Sequence, residues 1–419
     1  MEKIIKLIII YNPFSLLVRF ILKKVWSFMG PKTSIAYKII FADGSMYQNK
    51  PGEPEVAIIY KTSGAELNSV LFDHTGLFSS FINQTVDIKG DLVKMMKIGD
   101  DSSGSINLVN PLIFIRNIWH DFRFNGKTIK QAIKNAKFHY NLGTKLFRNY
   151  LDPTMTYTCA YWKEGTRNLE EAQRNKLDYV CRKLLLKPGE TLVDVGSGWG
   201  SLLFHAYENY GVLGANYSPT PNQNEVMQAE INKRGYQDKI KIYQKDFREI
   251  KGRFDKYASL GVYEHASKSQ IEDWIKGMSE CLKDGGLGVL HFIANVREDY
   301  TDFFIRKYIF QGAYIPGLAE TIKLMSKYGL EILDVENLRR HYALTLTEWA
   351  KNFEKNWEKI HEIDPKKFDE KFRRKWWLYL WSCAGSFQME HTNVHLFQII
   401  FSKGKVGKDY PMSREYLYK

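Results

Sequence analysis

The segment ETLVDVGSGWGSLLFHAYENYG, residues 190–211, constrains the fold more than any other part of this chain. Leu192 to Val195 forms a short apolar strand. It runs into Gly196-Ser197-Gly198-Trp199-Gly200 and then into an amphipathic helix. Glycine at every second position lets the backbone turn sharply and approach a ligand closely. The G-x-G-x-G spacing differs from the dinucleotide pattern G-x-G-x-x-G, and Asp194 ends the strand instead of following it at a distance. The alternation continues beyond the loop. VLGANY, KIKIYQKDF, FDKYASLGVYEHA and LHFIA read as strands with helices between them, so residues 194–293 argue for a parallel sheet. Ligands in open sheets of this kind sit at the carboxyl ends of the strands. Asp194, Asn216, Asp246 and Glu264 stand at such ends and are expected to line one crevice.

The D-x-G-x-G-x-G arrangement resembles motif I of class I S-adenosylmethionine methyltransferases. That resemblance implies a Rossmann-like seven-stranded sheet and a loop packed on the methionine and adenosyl groups. Such enzymes often carry an acid at the end of the second strand for the ribose hydroxyls. Here Asn216-Tyr217-Ser218 takes that place, and Asp246-Phe247 stands where adenine is usually held.

The chain has 419 residues, enough for two or three domains. A net charge of +13 favours anionic partners, meaning nucleic acid or anionic lipid, and charge alone does not separate them. Aromatic residues make up 14% and suit either partner. Cys159, Cys181, Cys281 and Cys383 are too widely spaced for a zinc or disulfide framework. At the N-terminus, Lys6, Asn12, Pro13 and Arg19 interrupt the apolar run, and no small-residue cleavage site follows it, so neither a spanning helix nor a signal peptide is expected. Residues 14–26 read as an interfacial amphipathic helix or as a packed helix of the first domain, with 4–10 a strand in one version. Residues 35–100 read as a small α+β domain with a hairpin at Asp43-Gly44. The Gly/Ser/Asp/Asn-rich stretch 99–111 is the linker candidate. The expected domains are therefore 1–105 and 106–419. Residues 111–148 read as helical, as does the aromatic region after Asn295, and 396–403 as a last buried strand.

Several segments resemble the cyclopropane fatty acid synthases and the related mycolic acid cyclopropane synthases, in that family's order. They are HYNLGTKLFRNYLDPTMTYTCAYW (139–162), VDVGSGWG, NYSPTPNQ, LGVYEHAS, LHFIA, FIRKYIFQGAYIPG, HYALTLTEWAKNF and WWLYLWSCAGSF. The resemblance spans roughly residues 110–405 and, more weakly, 1–105. It implies a class I methyltransferase fold with lipid-site helical insertions after the small N-terminal domain. By the family's motifs, Tyr157, Thr158, Asp194, Gly196, Ser197, Gly198, Gly200, Asn216, Tyr217, Ser218, Gln223, Asp246 and Phe247 would hold S-adenosylmethionine. Gln223 lies two residues farther from Ser218 than in relatives. Cys159, Glu264, His291, the Ile293 backbone and Tyr342 would hold a bicarbonate ion.

The implied reaction is transfer of a methylene to the cis double bond of an unsaturated phospholipid acyl chain, through a carbocation that bicarbonate deprotonates. Tyr314, Trp349, Phe353, Trp376 and Trp377 are candidates to stabilise the cation, with plain packing as the alternative. The stretch KKFDEKFRRKWW, 366–377, is a candidate for anionic headgroups, with a solvated helix face as the alternative. The enzyme would be cytoplasmic, peripheral at the inner membrane, and a homodimer. Rival outcomes are a methyl-branched or methylene fatty acid. A methyltransferase for a small molecule or nucleic acid is a further rival, but no Asn/Asp-Pro-Pro-aromatic motif is present and a nucleic-acid partner is not expected. A non-catalytic lipid carrier is the last.

Overall fold

A computed structural model of the chain describes residues 13–102, 111–297 and 299–418. The strand expected at 4–10 and most of the linker candidate lie outside the described residues. The chain divides into two compact units, residues 1–120 with 353–392 and residues 121–352 with 393–419. This division differs from a single cut at 105, because the helical segment 353–392 folds with the first unit.

The first unit holds a four-stranded sheet of β1 (Tyr37–Ile40), β2 (Met46–Gln48), β3 (Val56–Tyr60) and β4 (Val86–Gly90), in the order β2-β1-β3-β4. β1 and β2 form the hairpin expected at Asp43-Gly44, with Gly44 at φ 85°. The helix Pro13–Met29 buries Ser15, Val18, Arg19, Leu22 and Trp26 on one face. Arg19 lies buried against the equally buried Glu66 and against Asp43, at 3.1 and 2.7 Å. The opposite face leaves Phe14, Leu16, Leu17, Phe20, Ile21 and Phe28 exposed.

Helix Glu370–Gln388 packs within this unit on the helices Ser63–Ile82 and Leu92–Ser102. Its Arg374 donates to the carbonyls of Phe81 and Val86 and pairs with Asp87. Trp376 is buried and Trp377 donates to Glu354. Trp376 is thus packed inside this unit, while Trp377 is half-buried.

The second unit holds a seven-stranded sheet. It is built from β5 (Thr191–Val195), β6 (Leu213–Tyr217), β7 (Ile240–Tyr243), β8 (Phe254–Leu260), β9 (Leu282–Asn295), β10 (Leu330–Asn337) and β11 (Val394–Lys403). The order is β10-β11-β9-β8-β5-β6-β7. β5 to β9 run parallel, and β11 lies antiparallel to both β9 and β10. This is the α/β architecture expected from the sequence. β10 was not legible there. Its sequence LEILDVEN is half polar and sits at a sheet edge with mixed burial, so it lacks the apolar run of an interior strand.

One apolar cluster packs the sheet against helices Ile271–Cys281 and Leu318–Lys327, and another packs Leu169–Lys183 and Ser201–Tyr210. The strand ends between these layers stay open for a site. Among the described residues, no helix is long and apolar enough to cross a membrane.

Candidate active site

The glycine loop shapes the site first. Gly196, Gly198 and Gly200 take φ values of 81°, 59° and 94°. A Cβ on Gly196 would lie 2.6 Å from Val262 Cγ2, so that position requires glycine. Gly196 N donates to Tyr217 O at 2.9 Å, which ties the loop to the end of β6. Asn216 is buried at that strand end. Its Oδ1 accepts from Ser197 N at 3.3 Å and its Nδ2 donates to Asn224 Oδ1 at 2.9 Å.

The loop borders a cavity of about 1070 Å³, counted with its open mouth. Tyr157, Thr158, Asp194, Gly196, Ser197, Gly198, Tyr217, Ser218, Gln223, Asp246 and Phe247 all line it. Gly200 and Asn216 do not; they brace the loop from behind. Of the four strand-end residues expected in one crevice, Asp194 and Asp246 line the cavity, while Asn216 and Glu264 do not. Asn216 spends its amide on the loop, and Glu264 turns toward β9.

Within the cavity wall, Ser218 Oγ meets Thr220 Oγ1 at 2.6 Å, and Thr220 Oγ1 donates to Gln223 Oε1 at 2.7 Å. Thr220 thus bridges the two extra residues between Ser218 and Gln223, and the Gln223 amide nitrogen faces the Gly198 turn. Asp246 forms a two-pronged ion pair with Arg248, at 2.6 and 3.0 Å. Phe247 and Trp274 pack 4.2 Å apart between ring centroids, an apolar wall suited to a flat ring. Burial pushes the Asp194 carboxyl up to about 7.

Lys176, on the helix Leu169–Lys183, lines the same cavity although it is fully buried. Its Nζ donates to Thr158 Oγ1 at 2.9 Å. Burial lowers its pKa to about 8, against the pull of Asp152, Cys159 and Asp194. Gln173, one turn earlier, donates to the carbonyls of Thr156 and Thr158 at 3.2 and 2.8 Å. Tyr140 OH meets His265 Nε2 at 3.0 Å, and both residues line the cavity. Lys176, Gln173 and Tyr140 were not singled out in the sequence. The available signal was Gln173, Lys176, Leu177, Val180 and Lys183 at helical spacing, polar residues on an otherwise apolar stripe.

Beyond the cavity wall lies a second cluster. Glu264 sits in the 3-10 turn Tyr263–His265 just past β8. Its Oε1 accepts from Ile293 N at 2.5 Å, so the Ile293 amide is committed to Glu264. Glu264 Oε2 is buried without a partner, and burial raises the carboxyl to about 7. His291, two residues before Ile293 on β9, is fully buried, and its Nε2 also lacks a partner.

Cys159 Sγ donates to Ala160 O at 3.2 Å and approaches Leu338 O at 3.9 Å, and burial pushes its thiol far up. Ala160 N donates to Thr345 Oγ1 at 3.1 Å on helix Arg339–Lys355, which also carries Tyr342. A Cβ on Gly261 would lie 2.9 Å from Thr158 Cγ2, and Gly261 N donates to His291 O at 2.7 Å. The cluster therefore adjoins the cavity through Thr158 and Gly261. Among the cation-stabilising candidates, Trp349 packs 5.0 Å from Tyr157, and Tyr314 N donates to Glu264 O. Phe353, Trp376 and Trp377 belong to the first unit. Among the described residues, no group of three or more His, Cys, Asp or Glu is arranged for a metal ion.

Comparisons with known proteins agree with this geometry. The family model for mycolic acid cyclopropane synthetase matches residues 127–397. A Pseudomonas putida protein described as a probable fatty acid methyltransferase is 29% identical, over 90% of this chain and 95% of its own. The cyclopropane-fatty-acyl-phospholipid synthase of Escherichia coli is 34% identical, over 67% of this chain and 71% of its own. A solved mycolic acid cyclopropane synthase, CmaA1 complexed with SAH and CTAB, superposes with TM-score 0.60 at 27% identity, over 65% of this chain and 98% of that one. A chain with this sheet, this glycine loop and these matches belongs to the mycolic acid cyclopropane synthetase family, and its sheet is that of class I S-adenosylmethionine methyltransferases.

Proposed function

We propose that this protein converts the cis double bond of an unsaturated phospholipid acyl chain into a cyclopropane, using S-adenosylmethionine and a bound bicarbonate ion at the membrane surface. The observation that carries the reading is the pair of orphaned, buried polar atoms beside the cavity, Glu264 Oε2 and His291 Nε2. Other buried polar atoms also lack a protein partner, but these two belong to ionisable groups next to the cofactor-sized cavity, where a small oxyanion would satisfy both.

The residues fit both groups. A Gly-rich loop, a flat apolar wall at Phe247 and Trp274, and polar atoms of Ser218, Gln223 and Asp194 suit a nucleoside joined to an amino acid. A carboxyl held near pH 7 is partly protonated and can donate to an oxyanion, and Lys176 places a positive charge nearby. When bound, S-adenosylmethionine supplies an electrophilic methyl and bicarbonate a proton acceptor. The chain's own groups do the rest. Tyr157 and Thr158 bound the cofactor cavity and keep the reacting alkene in line. The buried cluster excludes water, which would otherwise capture a carbocation on the acyl chain. Glu264 and His291 would hold and orient the proton acceptor through their orphaned atoms, and Cys159 and Tyr342 would complete its surroundings.

The exposed apolar faces support a membrane-surface location. Besides Pro13–Met29, helix Pro111–Phe124 exposes Leu112, Phe114, Ile115, Ile118, Trp119 and Phe122. Such faces, on a chain of net charge +13, suit an anionic bilayer. Homodimerisation belongs to the same reading. A second reading, C-methylation of the double bond to a branched or methylene chain, is favoured by the likeness to the Pseudomonas protein described as a fatty acid methyltransferase.

Mass spectrometry of phospholipid fatty acids from cells expressing the chain tests the proposal. The expected result is a gain of one CH2 on unsaturated chains that resists mild hydrogenation, and its loss in Glu264→Gln. A methyl branch would install the second reading. No change in any lipid, with cofactor still bound by the purified protein, would overturn both.

A further inference from the structure

A polar chain runs behind His291, away from its orphaned nitrogen. It begins at Glu336 on β10, whose carboxylate pairs with the ammonium of Lys183. The Lys183 side chain is wholly buried, and its Nζ also donates to Gln398 Oε1 at 2.6 Å. The Tyr179 ring lies 4.3 Å from that ammonium, and Tyr179 OH donates to Glu336 Oε1 at 3.4 Å. Gln398 on β11 is the direct cross-strand partner of His291 on β9, and its Nε2 lies 2.9 Å from His291 Nδ1. Both residues are fully buried.

The protons in this chain follow from its chemistry. An ammonium only donates, so the Gln398 atom facing Lys183 is the carbonyl oxygen. The amide NH2 is then the group facing His291, and it also donates. His291 Nδ1 must therefore accept with its lone pair. A neutral imidazole with a lone pair on Nδ1 carries its proton on Nε2. A second proton on Nδ1 would set two donors face to face in a dry core. Burial and the charges of Lys176 and Lys183 all act against that second proton and hold His291 well below its ordinary pKa.

We propose that Lys183 and Gln398 are positioning residues that lock His291 as the neutral Nε2–H tautomer, which makes its orphaned nitrogen a fixed hydrogen-bond donor to an oxyanion. The use of that donor rests on the oxyanion reading above; the lock itself does not. The arrangement also explains a lysine whose side chain is wholly buried. Its charge is used to orient an amide, and the amide in turn orients a ring.

Nitrogen-15 NMR of the full chain labelled at histidine reads the tautomer, with His291→Gln to assign the signal. The wild-type chain is expected to show the Nε2–H form. Gln398→Glu is nearly isosteric and keeps an acceptor for Lys183, but it turns an acceptor toward His291 Nδ1. It should move the proton to Nδ1, leave cofactor affinity in place, and lower lipid product formation about 100-fold or more, the scale of a wrong imidazole tautomer elsewhere. Lys183→Met frees the amide to rotate and should give a mixture of both forms with a smaller loss.

A wild-type signal from Nδ1–H or from imidazolium would overturn the lock. A flipped tautomer with unchanged turnover would overturn its role in the reaction. A wild-type chain that shows Nε2–H but modifies no lipid would support the lock and count against the proposed cyclopropanation.

Discussion

Glu264 is the residue whose burial has the most direct thermodynamic consequence. Its carboxyl is raised from 4.5 to about 7, chiefly by desolvation. Between those values the folded protein keeps a proton that the unfolded chain has lost. Stability therefore falls as pH rises through that window, and the penalty is complete above about 7. Glu264→Gln removes the linkage while keeping an acceptor for Ile293 N. We predict that the variant is about 2 to 3 kcal/mol more stable than wild type at pH 8 and equal to it near pH 4. Denaturant unfolding at the two pH values measures this. A variant that is less stable at pH 8 would mean the carboxylate is paired rather than isolated. The same substitution should abolish product, so activity and stability move in opposite directions, as expected of a group kept for chemistry.

At the scale of elements, the turn between β5 and helix Ser201–Tyr210 links backbone conformation to cofactor binding. Gly196 combines a positive φ with a space that Val262 fills. Gly196→Ala must displace Val262, two residues from Glu264, or shift the loop. We predict at least a 10-fold loss in S-adenosylmethionine affinity, with a stability cost of about 1 to 3 kcal/mol. Titration calorimetry and thermal unfolding would separate these effects. Gly198 offers an internal control, since nothing but Gln223 Nε2 at 3.9 Å lies near its Cβ position. Alanine there meets backbone strain alone and should cost less. Equal losses at the two positions would place the effect in φ and not in the Val262 contact.

For the whole molecule, the division of the chain matters most. The first unit is discontinuous, because residues 353–392 fold with 1–120. Helix Glu370–Gln388 buries Phe372, Trp376, Tyr379 and Leu380 within it. Cutting the chain at residue 105 would strip helices Ser63–Ile82 and Leu92–Ser102 from that face. We predict that a fragment starting at 106 is insoluble, or binds hydrophobic dyes strongly, while the intact chain is not and does not. A soluble, cofactor-binding fragment 106–419 would show that the helix can repack without the N-terminal strands.

The sequence by itself determined the parallel strands β5 to β9, the last strand β11, the glycine loop and most of the cavity wall. Those features are local: an apolar strand, glycines at fixed offsets and a helix are neighbours along the chain, so spacing alone places them. The family's motifs supplied Cys159, Glu264, His291, Ile293 and Tyr342, whose roles composition and periodicity could not suggest. Tertiary structure alone decided the rest. Ile293 N is taken by Glu264, Asn216 braces the loop instead of lining the cavity, and Trp376 is buried inside the first unit. Lys176 and Lys183 read as ordinary helix lysines until packing removes their water, and Gln398 becomes a partner of His291 only when β11 pairs with β9. Each of these depends on which donor meets which acceptor across 19 to 107 residues of chain, or on how far a charge is desolvated. Neither quantity exists until the sheet has closed around them.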